Sequence, residues 1–558
     1  MIKEKNSLLY KSKSVLSSLF AVVLLLSLFA TMPLMSQVVT AQSSLGTVGP
    51  RTRSGGADPA NGIYVSPSGN DASATGSIDA PFKSINVALD VVQPDDTIIL
   101  RGGTYREGIN VRIRVPNVTI KSMSGEWAVI DLTTYNSGHN EDSAVYFDVD
   151  SSGGKLQNVE VKGGWYAVCL ETRWDWGDPN GRAGASNIII EDCILHDSQY
   201  DVVKVKPNCD NVVIRYNEIY NSGQAFAGKP LNGEDNAEGI DNVNGDNMKV
   251  QNNYIHDICA NAIYAKGGAT DALIENNRVE RAYGGGILIG FDTSPEFFDT
   301  KVNPEYYENI RGIVRNNLLI NIGWEGIGLY GSKDAQVYNN VLINVANGGQ
   351  YHSAIYFGLT YQDWESYAKR PANVNPNIHH NIISQPNGIV RPMIEIRYAN
   401  ELGGLSALSR NPTMSNNCYY IAGKSAVFVD NRPDSTLENA GLAAWKSHIN
   451  GDSGSIEADP ALNADYMPTN QQCAEMGIQF SLSVSSNSNG QSDPTGTRKL
   501  NSTGALTDGG TTNNNGSENG NIFSRIWLPL CIIIIVTICG GVVFISLRNK
   551  GNVKSSKT

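Results

Sequence analysis

The sequence predicts an all-β chain wound as one parallel β-helix, with a short capping helix at its N-terminal end and a membrane-spanning helix near its C-terminus. Three observations predict the coil. Paired residues recur at Asp192-Cys193, Tyr216-Asn217, Asn252-Asn253, Asn276-Asn277, Asn316-Asn317, Asn339-Asn340, His380-Asn381 and Asn416-Asn417. They step by 23 or 24 residues, lengthened to 36, 40 or 41 where polar or aromatic insertions intervene. Between them, apolar residues alternate with period two, and turns break the alternation three times per unit, which describes a coil of three short strands.

The start of the chain carries Lys3, Lys5, Lys11 and Lys13, then an apolar run over 15–30 and the small-residue sequence Val39-Thr40-Ala41. This pattern predicts a secretory signal peptide over 1–41. A short polar link leads to a first strand at Ile63–Val65. Phe82, Ile85, Ala88, Leu89 and Val92 follow at helical spacing, and Pro94 ends that helix. A short amphipathic helix ahead of a run of strands can cover the open end of a solenoid. The β-helix domain is expected over 57–480.

In the repeats, the recurring Asn sits where a tight bend tolerates left-handed backbone. Stacked from coil to coil, its amide can bond the Asn above and below. Insertions at 224–236, 292–309 and 359–376 mark the decorated side, where loops wall a groove. A Ser-, Asn- and Gly-rich stalk is expected over 481–525. The 22-residue run 526–547 carries no charge and is long enough to span a bilayer. Arg548, Lys550, Lys554 and Lys557 follow it and place the 548–558 tail in the cytoplasm. The expected location is therefore the cell membrane, single-pass, with the β-helix outside.

The chain has 558 residues and a net charge of −12, which excludes a basic nucleic-acid footprint. An acidic protein that handles an acidic polymer needs local cations, either lysines or a bound metal. Of eight cysteines, Cys531 and Cys539 fall in the span. Cys169, Cys193, Cys209, Cys259, Cys418 and Cys473 remain outside, open to disulfides or buried as free thiols.

Numbering each coil from Cys193, Asn217, Asn253, Asn277 and Asn317 aligns five consecutive turns, with twelve inserted residues allowed in the second. Two columns then point inward: Val203, Ile240, Ile263, Ile287 and Ile327, and Val205, Asn242, Ala265, Ile289 and Leu329. Asn242 needs a partner there. The alternate positions face outward, with Lys204, Asp241, Tyr264, Leu288 and Gly328 in one column and Lys206, Val243, Lys266, Gly290 and Tyr330 in the next. At the strand entrance stand Asp201, Glu238, Asn261, Gly285 and Glu325. Coils stack about 4.8 Å apart, so Asp201, Glu238 and Asp241 converge. Three such carboxylates repel unless a cation joins them, and hard oxygen ligands on a rigid frame suit Ca2+. Lys204, Lys206 and Lys266 border the patch. A surface salt-bridge ladder is the alternative reading.

The stretches IYVSPSGND, APFKSINVALDVV, DDTIILRGGTYRE and AAWKSHINGDSGSIEADP resemble the pectate-lyase-like, right-handed, single-stranded parallel β-helix proteins over 61–462. Within them, DVVKVK and EGID are similar to the site of family 9 polysaccharide lyases, which bind Ca2+ through aspartates on adjacent coils and use a lysine as base. The resemblance matches Asp201 to the first aspartate and Glu238 and Asp241 to two acids of the motif, with Glu in place of Asp. A further acid of the family falls on Ala237, and the family's lysine slot holds Tyr264. Lys266 lies two residues on, on the same face, about 7 Å along the strand.

The resemblance implies a Ca2+-dependent uronate lyase, with Lys266 or Lys206 as base and Tyr264 as proton donor. Two other readings stay open: a glycoside hydrolase using the paired carboxylates, and a non-catalytic surface module that binds glycan. The expected partners are an acidic polysaccharide and the membrane, with no nucleic acid and a monomeric chain.

Overall fold

The computed structural model describes residues 46–489, apart from 55, 134–142, 174–181, 224–236, 349–351 and 361–370. The expected signal peptide, the span at 526–547 and the basic tail lie outside the described residues, as do Cys531 and Cys539. So do the insertion at 224–236 and much of the one at 359–376. No helix among the described residues is long and apolar enough to cross a membrane.

Each coil contributes one strand to each of three sheets, and among the described residues each sheet has twelve strands. The first runs from Ile63–Val65 to Thr413–Ser415, and the second from Gly103–Tyr105 to Ile456–Glu457. The third starts at Val111–Ile113 and ends at Leu437–Ala440, whose pairing with Val427–Asp430 is antiparallel. Neighbouring strands are otherwise parallel, as successive turns of one coil must be.

The register reproduces the sequence alignment. Val203 pairs with Ile240, Ile240 with Ile263, Ile263 with Ile287, and Ile287 with Ile327. These side chains are buried in the coil's interior. Asn242 also points inward. Its amide donates to the Gly245 carbonyl at 2.9 Å and accepts from the Gly245 N–H at 2.9 Å, which closes its hydrogen-bonding within three residues.

The bend between the first and second sheets explains the paired motif. Its first member adopts left-handed backbone in every coil, with φ from 51° to 58° at Asp192, Tyr216, Asn252, Asn276, Asn316, Asn339, His380 and Asn416. Its second member turns inward and stacks. The Asn217 amide donates to Asn253 Oδ1 at 3.1 Å, Asn253 to Asn277 at 3.0 Å, and Asn277 to Asn317 at 3.0 Å. The ladder continues through Asn340 and Asn381 to Asn417. Each Oδ1 also accepts the backbone N–H one coil earlier, as Asn277 does from Asn253.

The expected N-terminal helix is present at Ile85–Leu89, shorter than its apolar spacing implied. Ser84 caps it, and the Glu107 carboxylate accepts the Ile85 N–H at 2.9 Å. Ile85 and Ala88 are buried against Ile63–Val65 and Val111–Ile113, the first strands of two sheets.

After the last coil the chain returns along the outer face of the second sheet. Met476, Ile478 and Leu482 pack there with Leu318, Val341, Ile382 and Cys418. Leu482–Val484 then pairs in parallel with Gly46–Val48, two strands that flank the 57–480 span on either side. The six cysteines outside the expected span are all buried, and the sulfurs of Cys418 and Cys473 lie 2.8 Å apart.

The 292–309 insertion follows the strand Ile287–Ile289 and ends at Asn309–Ile310, which pairs with Ala269–Thr270 and Ser332–Lys333 between the third and first sheets. Phe298 and Tyr307 are buried within it, and Glu308 accepts from the Thr293 hydroxyl at 2.7 Å. Beside it, Tyr264, Leu288, Tyr330 and Tyr356 form a separate outer apolar cluster with Phe291. These aromatic rings pack against one another.

Candidate functional site

The outer face of the third sheet brings the three predicted acids together. Asp201 precedes Val203–Val205, Glu238 precedes Ile240–Val243, and Asp241 lies within that second strand. Carboxylate oxygens of all three lie within 4.8 Å of one another. Although they face away from the coil's interior, they are buried, at 0%, 4% and 2% exposure. The Asp201 carboxylate also accepts the Glu238 backbone N–H at 3.0 Å, which ties the two coils together at the site.

Each acid keeps an oxygen that no hydrogen bond satisfies, Asp201 Oδ2, Glu238 Oε2 and Asp241 Oδ1, although the Lys204 ammonium stands near the first. Burial, with Asp201 and Asp241 alongside, pushes the Glu238 carboxyl well above its ordinary range. Burial likewise raises Asp201, against the pull of Lys204. Asp241 moves the other way. Burial would raise it, but Lys204 and Lys266 hold it down. Three hard, converging, underbonded carboxylates fit a divalent oxygen-seeking cation such as Ca2+. They supply part of a six- to eight-oxygen shell and leave the rest to water or a ligand.

The cation that meets these acids here is Lys204. Its ammonium lies 3.1 Å from Asp201 Oδ2 and touches Asp241 Oδ2. Burial works against its charge, yet the two acids raise its pKa well above the usual lysine value. Sequence reading placed Lys204 at the border of the patch. The coil register puts it directly beside Asp241.

The predicted catalytic residues separate into two groups. Lys266 Nζ is 3.9 Å from Asp241 Oδ1 and 4.3 Å from the centre of the Tyr264 ring. Tyr264 is buried, and its hydroxyl contacts the Asn261 amide. Burial first, then Glu238 and Asp241, hold that phenol protonated well beyond the usual tyrosine range. Lys206 instead pairs with Glu171 Oε1 at 2.6 Å. Burial opposes its charge, but Cys169 and Glu171 keep its pKa raised. Ala237 is buried, and no carboxylate stands at that position.

Sequence reasoning did not single out Asn261, which joins the Glu238 side to Tyr264. It also passed over the Glu171 partner of Lys206. Asn261 carried a usable signal, since it occupies the same strand-entrance slot as Asp201 and Glu238.

Comparison with known proteins matches residues 124–355 to a family described as the right handed beta helix region. Residues 67–121 match a family described only as a protein of unknown function. The pectate lyase PEL9 of Emericella nidulans is 42% identical over 74 residues, 12% of this chain and 18% of that protein. The match thus spans less than a fifth of the relative. Among solved structures, the pectate lyase Pel9A is similar over 78% of this chain and 91% of its own, at 15% identity and a TM-score of 0.41. The A-module of the Azotobacter vinelandii mannuronan C-5 epimerase AlgE6 covers 67% of this chain and 94% of its own, at 14% identity and a TM-score of 0.44. An alginate lyase from Paenibacillus covers 54% and 90%, at 16% identity and a TM-score of 0.36.

Proposed function

We propose that this chain, a pectate-lyase-like right-handed parallel β-helix, acts on polysaccharide as a uronate lyase that works by β-elimination. The observation that carries the reading is the buried convergence of Asp201, Glu238 and Asp241 with Lys266 at its edge. Asp201, Glu238 and Asp241 would hold Ca2+, which when bound neutralises a sugar carboxylate and stabilises charge that develops beside it.

The chain's own residues supply the proton path. Lys266 Nζ takes the proton from C5 of the uronate, and the C5–H electron pair forms the C4–C5 double bond. The C4–oxygen bond breaks, and Tyr264 gives its phenolic proton to the departing oxygen. Lys206 is paired with Glu171 and stands outside this proton path. The helix at Ile85–Leu89 is read as the N-terminal cap. The domain is read as extracellular, tethered by 526–547 behind a cleaved signal peptide, with 548–558 in the cytoplasm.

A second reading rests on Lys204. An ammonium already seated between Asp201 and Asp241 favours a metal-free module that binds glycan without cleaving it. One experiment separates the two. The full-length protein is incubated with a panel of uronate polymers, with Ca2+ or with chelator, while ultraviolet absorbance of the unsaturated product is followed. The lyase reading expects a Ca2+-dependent signal that Lys266→Ala abolishes. Glycan retained with no such signal overturns it in favour of the binding module, and new reducing ends without absorbance overturn it in favour of hydrolysis.

A further inference from the structure

Farther along the same face, at the Tyr330 and Tyr356 end of the aromatic cluster, a second group of polar side chains gathers. Glu325 stands just before the strand Ile327–Tyr330, in the slot that Asp201 and Glu238 occupy in earlier coils. It is fully buried. Its Oε1 accepts the Tyr330 hydroxyl at 2.5 Å, and its Oε2 lies 2.8 Å from His352 Nδ1. The contact is an ion-pair distance without hydrogen-bond geometry, and it leaves Nε2 as the ring nitrogen away from Glu325. The His352 side chain is 20% exposed although its Nδ1 is buried.

The His352 ring lies flat against Trp324, with centroids 5.0 Å apart and an interplanar angle of 4°. It meets Tyr356 edge-on at 5.5 Å. One coil on, Glu395 pairs in register with Tyr356, and Arg397 follows two residues later on the same face. The Arg397 guanidinium is 38% exposed and lies 3.8 Å from the exposed carboxylate of Glu401, a loose pair that a ligand carboxylate can displace. The Glu395 carboxyl receives the Asn431 amide at 3.3 Å. Burial raises it to about 7, against the pull of His352 and Arg397, so near neutral pH a sizeable share is protonated and able to donate.

We propose that Trp324, His352, Glu395 and Arg397 form a second site on this face that binds a carboxylate-bearing sugar unit without a metal. Arg397 supplies the planar cationic fork that matches a carboxylate. His352 Nε2 and the Glu395 carboxyl meet ring hydroxyls. Trp324 offers the aromatic surface against which the apolar side of a sugar packs. Glu325 and Tyr330 touch no ligand; they position His352. The inference rests on the reading of this face as one that meets acidic polysaccharide, but not on the acid triad or on Ca2+.

The test is titration calorimetry of the full-length protein in excess EDTA with trimers of galacturonate, glucuronate, mannuronate and guluronate, and with the methyl ester of each. At least one acid trimer binds, and its ester binds about tenfold or more weakly. Arg397→Ala and His352→Gln each weaken binding about ten- to a hundredfold, the loss that goes with a charge-assisted hydrogen bond. Asp241→Asn leaves it unchanged. Arg397→Lys, which retains the charge, recovers part of the affinity and covers the case in which Arg397→Ala fails to fold. Absence of binding by every acid trimer overturns the proposal, as does equal binding of the esters. Loss in Asp241→Asn with retention in Arg397→Ala also overturns it, by moving the ligand to the triad. Failure of Ca2+-dependent elimination would sink the lyase reading and leave this binding untouched.

Discussion

Two stacks of side chains run along this β-helix, and they obey opposite rules. The Asn ladder repeats one neutral amide from Asn217 to Asn417, each amide donating to the next. The acid stack sets Asp201, Glu238 and Asp241 against one another across two coils. An amide both donates and accepts, so a stack of amides satisfies itself and can run as long as the coil does. An ionised carboxylate only accepts, so a stack of carboxylates is self-repelling and needs a cation or a proton. The difference teaches where to look for function. The ladder is complete without any ligand, whereas each acid of the triad keeps an oxygen that no hydrogen bond satisfies.

The largest expected break is in the ladder. Asn277→Ala strands the Asn253 backbone N–H and amide and the Val250 carbonyl. At about 1–3 kcal/mol for each buried group left unpaired, the loss should reach about 3–5 kcal/mol. A thermal scan of the variant reads it as a large drop in Tm, and Ca2+ should not restore it.

Lys204→Met comes next. It removes the ammonium from between Asp201 and Asp241 and should cost about 3 kcal/mol in chelator, the usual loss when one partner leaves a buried ion pair. Here Ca2+ should restore stability, because the acids then gain a different cation. A variant whose Tm ignores Ca2+ would remove the metal from the picture.

Asp241→Asn bears on chemistry more than on folding. It replaces the one triad acid held ionised, and lyase turnover should fall about a hundredfold or more. Stability in chelator should fall as well, because Lys204 and Lys266 lose the carboxylate whose ionised form they favour. Turnover measured beside Tm separates the two effects.

The smallest effect is a pH slope. Glu238 ionises from 4.5 in the unfolded chain but from a raised value in the folded one. Between those values the folded state binds the extra proton, so its stability falls as pH rises through the window. Within that window the fall is at most about 1.4 kcal/mol for each tenfold drop in proton concentration. Glu238→Gln should flatten that fall in chelator. The ladder carries no titrating group and should show no such slope. Melting curves across pH, compared between wild type and variant, check the sign.

Much of this contrast was legible in the sequence. The Asn pairs, the inward columns from Val203 to Ile327 and the meeting of Asp201, Glu238 and Asp241 all follow from one repeat length and a two-residue alternation. Both are local, so counting residues reproduces the register. Lys204 was visible as a neighbour but not as the counter-ion. Which lysine reaches into the triad depends on side-chain reach across coils 37 residues apart. The Glu325–His352 pair was harder still, because Ile355, the partner of Ile327, stands fifteen residues after Asn340 where Ile327 stands ten after Asn317, so the count does not reach His352.

By itself, then, the sequence determined the coil, its inward and outward faces, and the three acids that share one patch. A parallel β-helix repeats its backbone, so spacing alone carries that information. Only the tertiary structure decided which charges neutralise one another. It seats Lys204 on the triad, Lys206 on Glu171 and Lys266 over Tyr264. Burial removes the water that would otherwise screen each charge, so every buried lysine must find a carboxylate within reach, and reach is a property of the folded coil.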